Sequence, residues 1–264
     1  MACESVKFDI ANGVAVVTLD DPATLNAFTS EMGDALLEAF VRIDDPSSGI
    51  RAAIITGSGR NFCAGVNLAV RGRQLRDEGA VDLSYNLGLH INPLVLKVRN
   101  LRVPLIAAVN GPAVGVGLGF ALMADMIFAA ETSYFMEPFC RVGLVPDGGM
   151  TYFIPRLVGK ARAMELALLG NRLSAAKALE WGLINRVVPD DELMPATLAA
   201  AGQLAQGPYS LGEIRRLIAG GLDRELPEQL MLERDTQHAM GKTADYREGV
   251  FAFLEKRVPR FSQT

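Results

Sequence analysis

The segment Gly143-Leu144-Val145-Pro146-Asp147-Gly148-Gly149 sets one carboxylate between apolar residues and a flexible turn. Withdrawn from water, such a group titrates above its ordinary range, which suits a general base. The same Asp147, standing before Gly-Gly, would also serve to cap a helix starting near Met150, and the motif alone leaves both roles open. Two further loops could supply complementary chemistry. Gly111-Pro112-Ala113-Val114-Gly115-Val116-Gly117-Leu118-Gly119 lies between a strand-like run and a helical stretch, where N–H groups at a helix start can hold a developing oxyanion. It is not a dinucleotide fingerprint, because Phe120 stands where glycine is needed, and no Gly-Lys-Ser/Thr follows as in a phosphate loop. Close packing of a strand on a helix would also account for these glycines. Asn61-Phe62-Cys63-Ala64-Gly65-Val66-Asn67-Leu68 follows another strand-like run and leaves N–H groups accessible. Alone it reads as an ordinary strand-to-helix turn; with the first loop it could converge on one oxygen.

Other catalytic schemes find little footing. His90 and His238 belong to no His-Glu-x-x-His pattern, so no metal site is predicted. There is no Gly-x-Ser-x-Gly elbow for a serine nucleophile, and Ser58 in Thr56-Gly57-Ser58-Gly59-Arg60 does not match one. Cys3, Cys63 and Cys140 lack Cys-x-x-Cys spacing, which predicts free, mostly buried thiols. At 264 residues, half of them apolar, the chain is long enough for one well-buried catalytic domain. A formal charge of −4 supplies no basic field for nucleic acid. No apolar run reaches the roughly 18 residues of a membrane span, and the start, MACESVKFDIANG, has no charged segment before an apolar one. The expectation is a soluble, cytoplasmic protein without nucleic-acid or membrane partners. Its high apolar fraction fits burial of surface between subunits.

Regular elements must hold these groups in place. Lys7 to Ile10 and Val14 to Leu19 are β-rich runs joined by Asn12-Gly13, which predicts a tight hairpin. From Ser30 to Ile43, the residues Met32, Leu36, Leu37, Phe40 and Ile43 recur at helical spacing, with Thr29 or Ser30 as cap. A strand from Ala52 to Thr56 ends in Gly57-Ser58-Gly59. The order recurs at Leu105 to Val109, the glycine-rich turn and a helical stretch over Phe120 to Ala124. Short strands are predicted at Met126 to Ala129, Phe135 to Met136 and Arg186 to Val188, with a helix from Ala161 to Leu169. This alternation argues for an α/β fold. After Pro189 the β signals stop, and Asp190 to Lys256 reads as successive amphipathic helices punctuated by Pro208 and Pro227. The chain thus divides into a core, residues 1–189, and a C-terminal helical region, residues 190–264.

Asn26-Ala27, Cys63-Ala64-Gly65-Val66-Asn67-Leu68, Pro104-Leu105-Ile106-Ala107-Ala108-Val109-Asn110-Gly111, Ala124-Asp125 and Gly182-Leu183-Ile184-Asn185 occur in this order. In that combination the chain resembles the enoyl-CoA hydratase/isomerase (crotonase) family over nearly its whole length. The resemblance implies an α/β spiral of ββα units with a C-terminal helical trimerisation region, assembled as a homotrimer or hexamer. It implies an acyl-CoA thioester as substrate and no separate cofactor, coenzyme A being part of the substrate. Carried over residue by residue, it makes the backbone N–H groups of Val66 and Val116 an oxyanion hole for the thioester carbonyl. It also implies that Ala64, Gly65, Asn67, Leu68 and Gly115, beside that hole, bind the substrate. Phe253 and Lys256, on the last helix, would help to close the CoA site. An acidic residue and a lysine common in the family are Asn67 and Ala69 here, with Arg71 and Arg73 as local candidates for the CoA phosphates.

The two family positions that carry glutamates in hydratases are Gly119 and Phe139, which remain substrate-lining positions but cannot hold or deprotonate water. Asp147 stands where family isomerases and dehalogenases place a catalytic group. Gly143 to Asp147, Leu168-Leu169-Gly170-Asn171, Leu232 to Asp235, Ala244 to Gly249 and Phe253 to Arg257 resemble the phenylacetate-degrading branch, which isomerises ring-epoxide and 3-enoyl thioesters. The resemblance therefore implies an isomerase in which Asp147 moves a proton between two carbons of a stabilised dienolate. A linear 3,2-enoyl-CoA isomerase, a weak hydratase and a silent acyl-CoA-binding scaffold are the alternatives. Glu137, two residues before Phe139, would share its face in an extended segment and could serve as an acid or base.

Overall fold

The computed structural model describes residues 5–262, so Cys3 lies outside the described residues. β1 (Val6–Ala11) and β2 (Val14–Leu19) form the expected antiparallel hairpin, with Asn12 and Gly13 both at positive φ in the turn. α1 (Ser30–Asp44) starts where the Thr29 hydroxyl accepts the Met32 N–H at 3.2 Å, and it buries Met32, Leu36, Phe40 and Ile43. β3 (Ala52–Gly57) is followed by α2 (Leu68–Glu78), α3 (Leu83–Asn86), a π-helical turn over Leu87–Ile91, and α4 (Asn92–Arg99). β4 (Leu105–Val109) leads through β5 (Ala113–Val114) into α5 (Val116–Leu122). Next come β6 (Met126–Ala130), β7 (Tyr134–Met136) and a 3-10 turn over Pro138–Val142. α6 (Met150–Val158), α7 (Lys160–Leu169), β8 (Leu173–Ser174), α8 (Ala175–Trp181) and β9 (Arg186–Val188) complete the mixed portion. α9 (Leu193–Ala205), α10 (Ser210–Gly221), α11 (Leu226–Met240) and α12 (Ala244–Glu255) close the chain.

Among the described residues the main sheet has the order β1-β2-β3-β4-β6-β9, antiparallel only at the hairpin, and a smaller sheet has the order β5-β7-β8. The central strands β3 and β4 are buried along their whole length because both faces are covered, whereas the edge strand β1 stays largely exposed. Their residues alternate between two cores. Ala53, Ile55, Leu105, Ala107, Val109 and Ala129 pack with α1, α4 and α5, whereas Ala52, Ile54, Ile106, Ala108, Phe128 and Ala130 pack with α9. The change from strands to helices after Pro189 is as expected, yet α9 supplies Leu193, Ala201 and Ala205 to the second core. α10 is tied on by Arg215, which pairs with Asp125 at 2.7 Å and donates to the carbonyls of Val98, Arg99 and Leu101.

One helix differs from expectation. α5 runs from Val116 to Leu122 rather than over Phe120 to Ala124. Its glycines lower helix propensity, which hides the true start, and tertiary packing overrides that preference.

Candidate active site

The loops that follow β3 and β4 are laced together. Cys63 N–H donates to Pro112 O and Val114 N–H donates to Cys63 O, each at 3.0 Å, forming a parallel bridge between Cys63 and Ala113. Gly117 permits this approach, since a Cβ there would lie 2.5 Å from Cys63 O. Gly65 needs to be glycine for two reasons: its φ is 92°, and a Cβ would lie 3.0 Å from Val114 O. Gly115 abuts it, because a Cβ on Gly115 would meet Gly65 Cα at 3.9 Å. Val66 and Val116 each follow one of these glycines, so the two valines sit across one seam.

Both valine N–H groups are free for a reason that can be read from the hydrogen bonds. Phe28 N–H donates to Gly65 O at 2.7 Å, and Asn67 N–H donates to Phe28 O at 3.4 Å. This parallel bridge uses the neighbours of Val66, turning Val66's own N–H away from Phe28. Val116 is the first residue of α5, where an N–H has no partner within the helix. Neither group has an acceptor among the described residues. Asn26, signalled in the sequence only as part of a motif, steadies the loop from behind. Its buried amide donates to the carbonyls of Ser58, Asn61 and Phe62 at 2.9, 2.8 and 3.2 Å.

Asp147 is held against the same helix. A Cβ on Gly119 would lie 3.4 Å from Gly148 O, so the turn carrying Asp147 rests on α5 one helical turn beyond Gly115. The capping role does not apply. The residue that caps the start of α6 is Gly149, with φ 82° and no side-chain cap bond, and Met150 N–H bonds the backbone oxygen of Asp147 at 3.0 Å. Asp147 Oδ1 is buried without a hydrogen-bond partner, and burial pushes the carboxyl from 3.8 up to about 6. Ile91, from the π-helical turn, also approaches Gly148, its Cγ2 lying 3.9 Å from the Cβ position there.

Phe139 also reaches the seam, with its ring Cζ 3.8 Å from the Cβ position of Gly115. The extended path assumed between Glu137 and Phe139 is not present, because Phe139 lies in the 3-10 turn that starts at Pro138. The same-face argument for the two therefore fails. Glu137 is nonetheless 2% exposed, and burial pushes its carboxyl from 4.5 up to about 7.

The remaining candidates are distributed as follows. Ala64 N–H donates to Leu25 O at 3.1 Å, and the Asn67 side chain caps α2 by accepting from the Ala69 and Val70 N–H groups. Leu68 is exposed at the start of α2, which also carries Arg71 and Arg73. Phe253 is 83% exposed and lines an apolar groove of about 660 Å³ formed by α10, α11, α12 and their flanking segments. Lys256 ends α12 in a left-handed conformation. Neither the groove nor its lining includes the loops of Val66, Val116 or Asp147. Cys63 is buried as expected, but Cys140 is exposed at the surface of the 3-10 turn, correcting the expectation of buried thiols there. Among the described residues no helix is long and apolar enough to cross a membrane.

Two free N–H groups beside a desolvated carboxylate can stabilise an oxyanion while a nearby proton is moved. Known proteins share the framework. The family model described as enoyl-CoA hydratase/isomerase matches residues 9–264. A protein of Escherichia coli (strain K12) named 1,2-epoxyphenylacetyl-CoA isomerase is 43% identical over 261 residues, covering 98% of each chain. A Rhodobacter capsulatus protein named "Probable enoyl-CoA hydratase" is 40% identical, covering 99% of each. The solved enoyl-CoA hydratase of Bacillus anthracis superposes with a TM-score of 0.92 at 28% identity, over 98% of this chain and 100% of that one. With the family model matched from the first hairpin to the last residue and two full-length relatives at this identity, the chain belongs to the enoyl-CoA hydratase/isomerase family.

Proposed function

We propose that the protein is an acyl-CoA isomerase that shifts a double bond or opens a ring epoxide through a thioester enolate. The observation that carries this reading is the half-buried Asp147, whose Oδ1 is buried without a partner, on a turn held against α5 near two free N–H groups. The thioester oxygen would accept from Val66 and Val116. Each donor contributes about 3 kcal/mol as enolate charge gathers on that oxygen. Asp147, ionised above about pH 6, removes an α- or γ-proton, and the resulting acid returns it to the other carbon. One carboxylate is enough for this 1,3-shift.

Hydration asks for more, namely a positioned water with proton transfer to and from it. Gly119 is packed on Gly148, and the Phe139 ring lies beside Gly115, so neither position offers a carboxylate. The name of the Escherichia coli relative supports isomerisation and suggests an aromatic ring epoxide as substrate. Phe253, Lys256, Arg71 and Arg73 are proposed as contacts to the CoA moiety. A homotrimer or hexamer is proposed as the assembly, with the exposed apolar residues of α10 to α12 as packing surface.

The test follows conjugated thioester absorbance in two reactions side by side. Isomerisation of a 3-enoyl-CoA should exceed hydration of the matching 2-enoyl-CoA by about a thousandfold or more. Hydration as fast as isomerisation would refute the proposal.

A further inference from the structure

Glu137 has no structural employment. It precedes the 3-10 turn but makes no side-chain cap bond there, and Pro138 at the first position offers no N–H to accept. Its carboxyl has no hydrogen-bond or ion-pair partner among the described residues, and the residue is only 2% exposed, with its oxygens keeping the little access that remains. A buried polar group without a partner is costly, so one that persists calls for an explanation. Its position suggests one. Met136, the preceding residue, accepts the Gly115 N–H at 2.9 Å, and Phe139, two residues on, sets its ring against Gly115. Glu137 therefore lies between two residues that both touch Gly115, next to the oxyanion loop. Phe139 and Val116, the groups next to Gly115, belong to the apolar core.

We propose that Glu137 is a specificity-determining residue, hydrogen-bonding an oxygen atom carried by the acyl group beyond the thioester carbonyl. A purely hydrocarbon acyl chain would leave the carboxyl unpaired in the complex, whereas an acyl group with an ether, epoxide or hydroxyl oxygen completes it. Burial pushes the carboxyl up to about 7, so about half of it carries its proton at neutral pH and can donate to an oxygen that has no hydrogen of its own. The substrate class is thus an oxygenated acyl-CoA, and the assignment rests on the acyl-CoA reading of the site.

Competitive binding of phenylacetyl-CoA and 2-hydroxyphenylacetyl-CoA tests it, using the full chain and the variants Glu137→Leu and Glu137→Gln. The wild type should prefer the hydroxylated thioester by about tenfold or more. Glu137→Leu should bring the two affinities within about twofold, while Glu137→Gln, which keeps a donor and an acceptor, should retain at least about a threefold preference. Phenylacetyl-CoA affinity reports separately that each variant folds and accepts the thioester. A wild-type ratio near one, or a ratio unchanged in Glu137→Leu, overturns the role of Glu137 alone. Failure of the wild type to bind either thioester overturns the acyl-CoA reading and this inference with it.

Discussion

Replacing Asp147 by Asn should remove activity and, at alkaline pH, change stability in the direction opposite to a structural residue. The folded carboxyl titrates at about 6 instead of 3.8 because it is buried without a partner. A raised carboxyl pKa favours the fold while the proton is bound. That contribution is complete below about pH 3.8 and is lost as pH rises through about 6. At pH 8 the ionised side chain costs the wild-type fold about 3 kcal/mol relative to a group that does not titrate. The Asn amide is itself unpartnered and carries its own penalty, but that penalty does not vary with pH. Comparing the two proteins between pH 5 and pH 8 isolates the charge: wild type should lose about 1.4 kcal/mol more than the variant. Glu137 titrates in both proteins and cancels. Urea unfolding at the two pH values measures the difference, and 3-enoyl-CoA isomerisation should fall about a thousandfold in parallel. If the variant loses stability relative to wild type as pH rises, the carboxylate has a partner and the base assignment fails. If isomerisation survives, another group moves the proton.

Further consequences can be checked independently. The kcat/KM of isomerisation should rise with pH through about 6 and then level off, since the ionised form of Asp147 is the active one; a profile falling over that range would contradict it. Gly117→Ala places a Cβ 2.5 Å from Cys63 O, so the two loops must separate. Thermal unfolding should show a loss of about 2 kcal/mol or more, with turnover reduced even where the variant is fully folded. Arg215→Met leaves the Asp125 carboxylate, the Arg215 partner, and the carbonyls of Val98, Arg99 and Leu101 without their shared donor. A loss of about 3 kcal/mol is expected in urea titration, and an unchanged midpoint would show that α10 is not docked through this residue. Light scattering should give three or six chain masses, and Phe253→Asp, which charges an 83% exposed aromatic, should lower that mass if α12 packs subunits.

Much of the framework is written locally. Asn12-Gly13 specifies its hairpin because those residues tolerate positive φ, and the periodicity of Met32, Leu36, Phe40 and Ile43 specifies α1 because each turns toward the same core. The glycine-rich loops and the single Asp147 in its turn are likewise visible, and their order along the chain is enough to indicate the family. What remained open was settled by partners distant in sequence. Whether Asp147 caps a helix or stands unpaired depends on where α6 starts and on what surrounds the carboxyl, and only the packed turn on Gly119 decides it. That Val66 has a free N–H follows from the bridge its neighbours make with Phe28, some forty residues earlier in the chain. Helix propensity concealed the start of α5, since the glycines it penalises are the ones that close approach to Cys63 requires. Exposure of Cys140 and burial of Glu137, three residues apart, are equally invisible in a linear pattern. Sequence by itself determined the order of the elements and the chemical types at the loops, because propensity and periodicity are local. Tertiary structure alone decided which polar groups lost water without gaining a partner, because desolvation is set by every segment that packs around a residue.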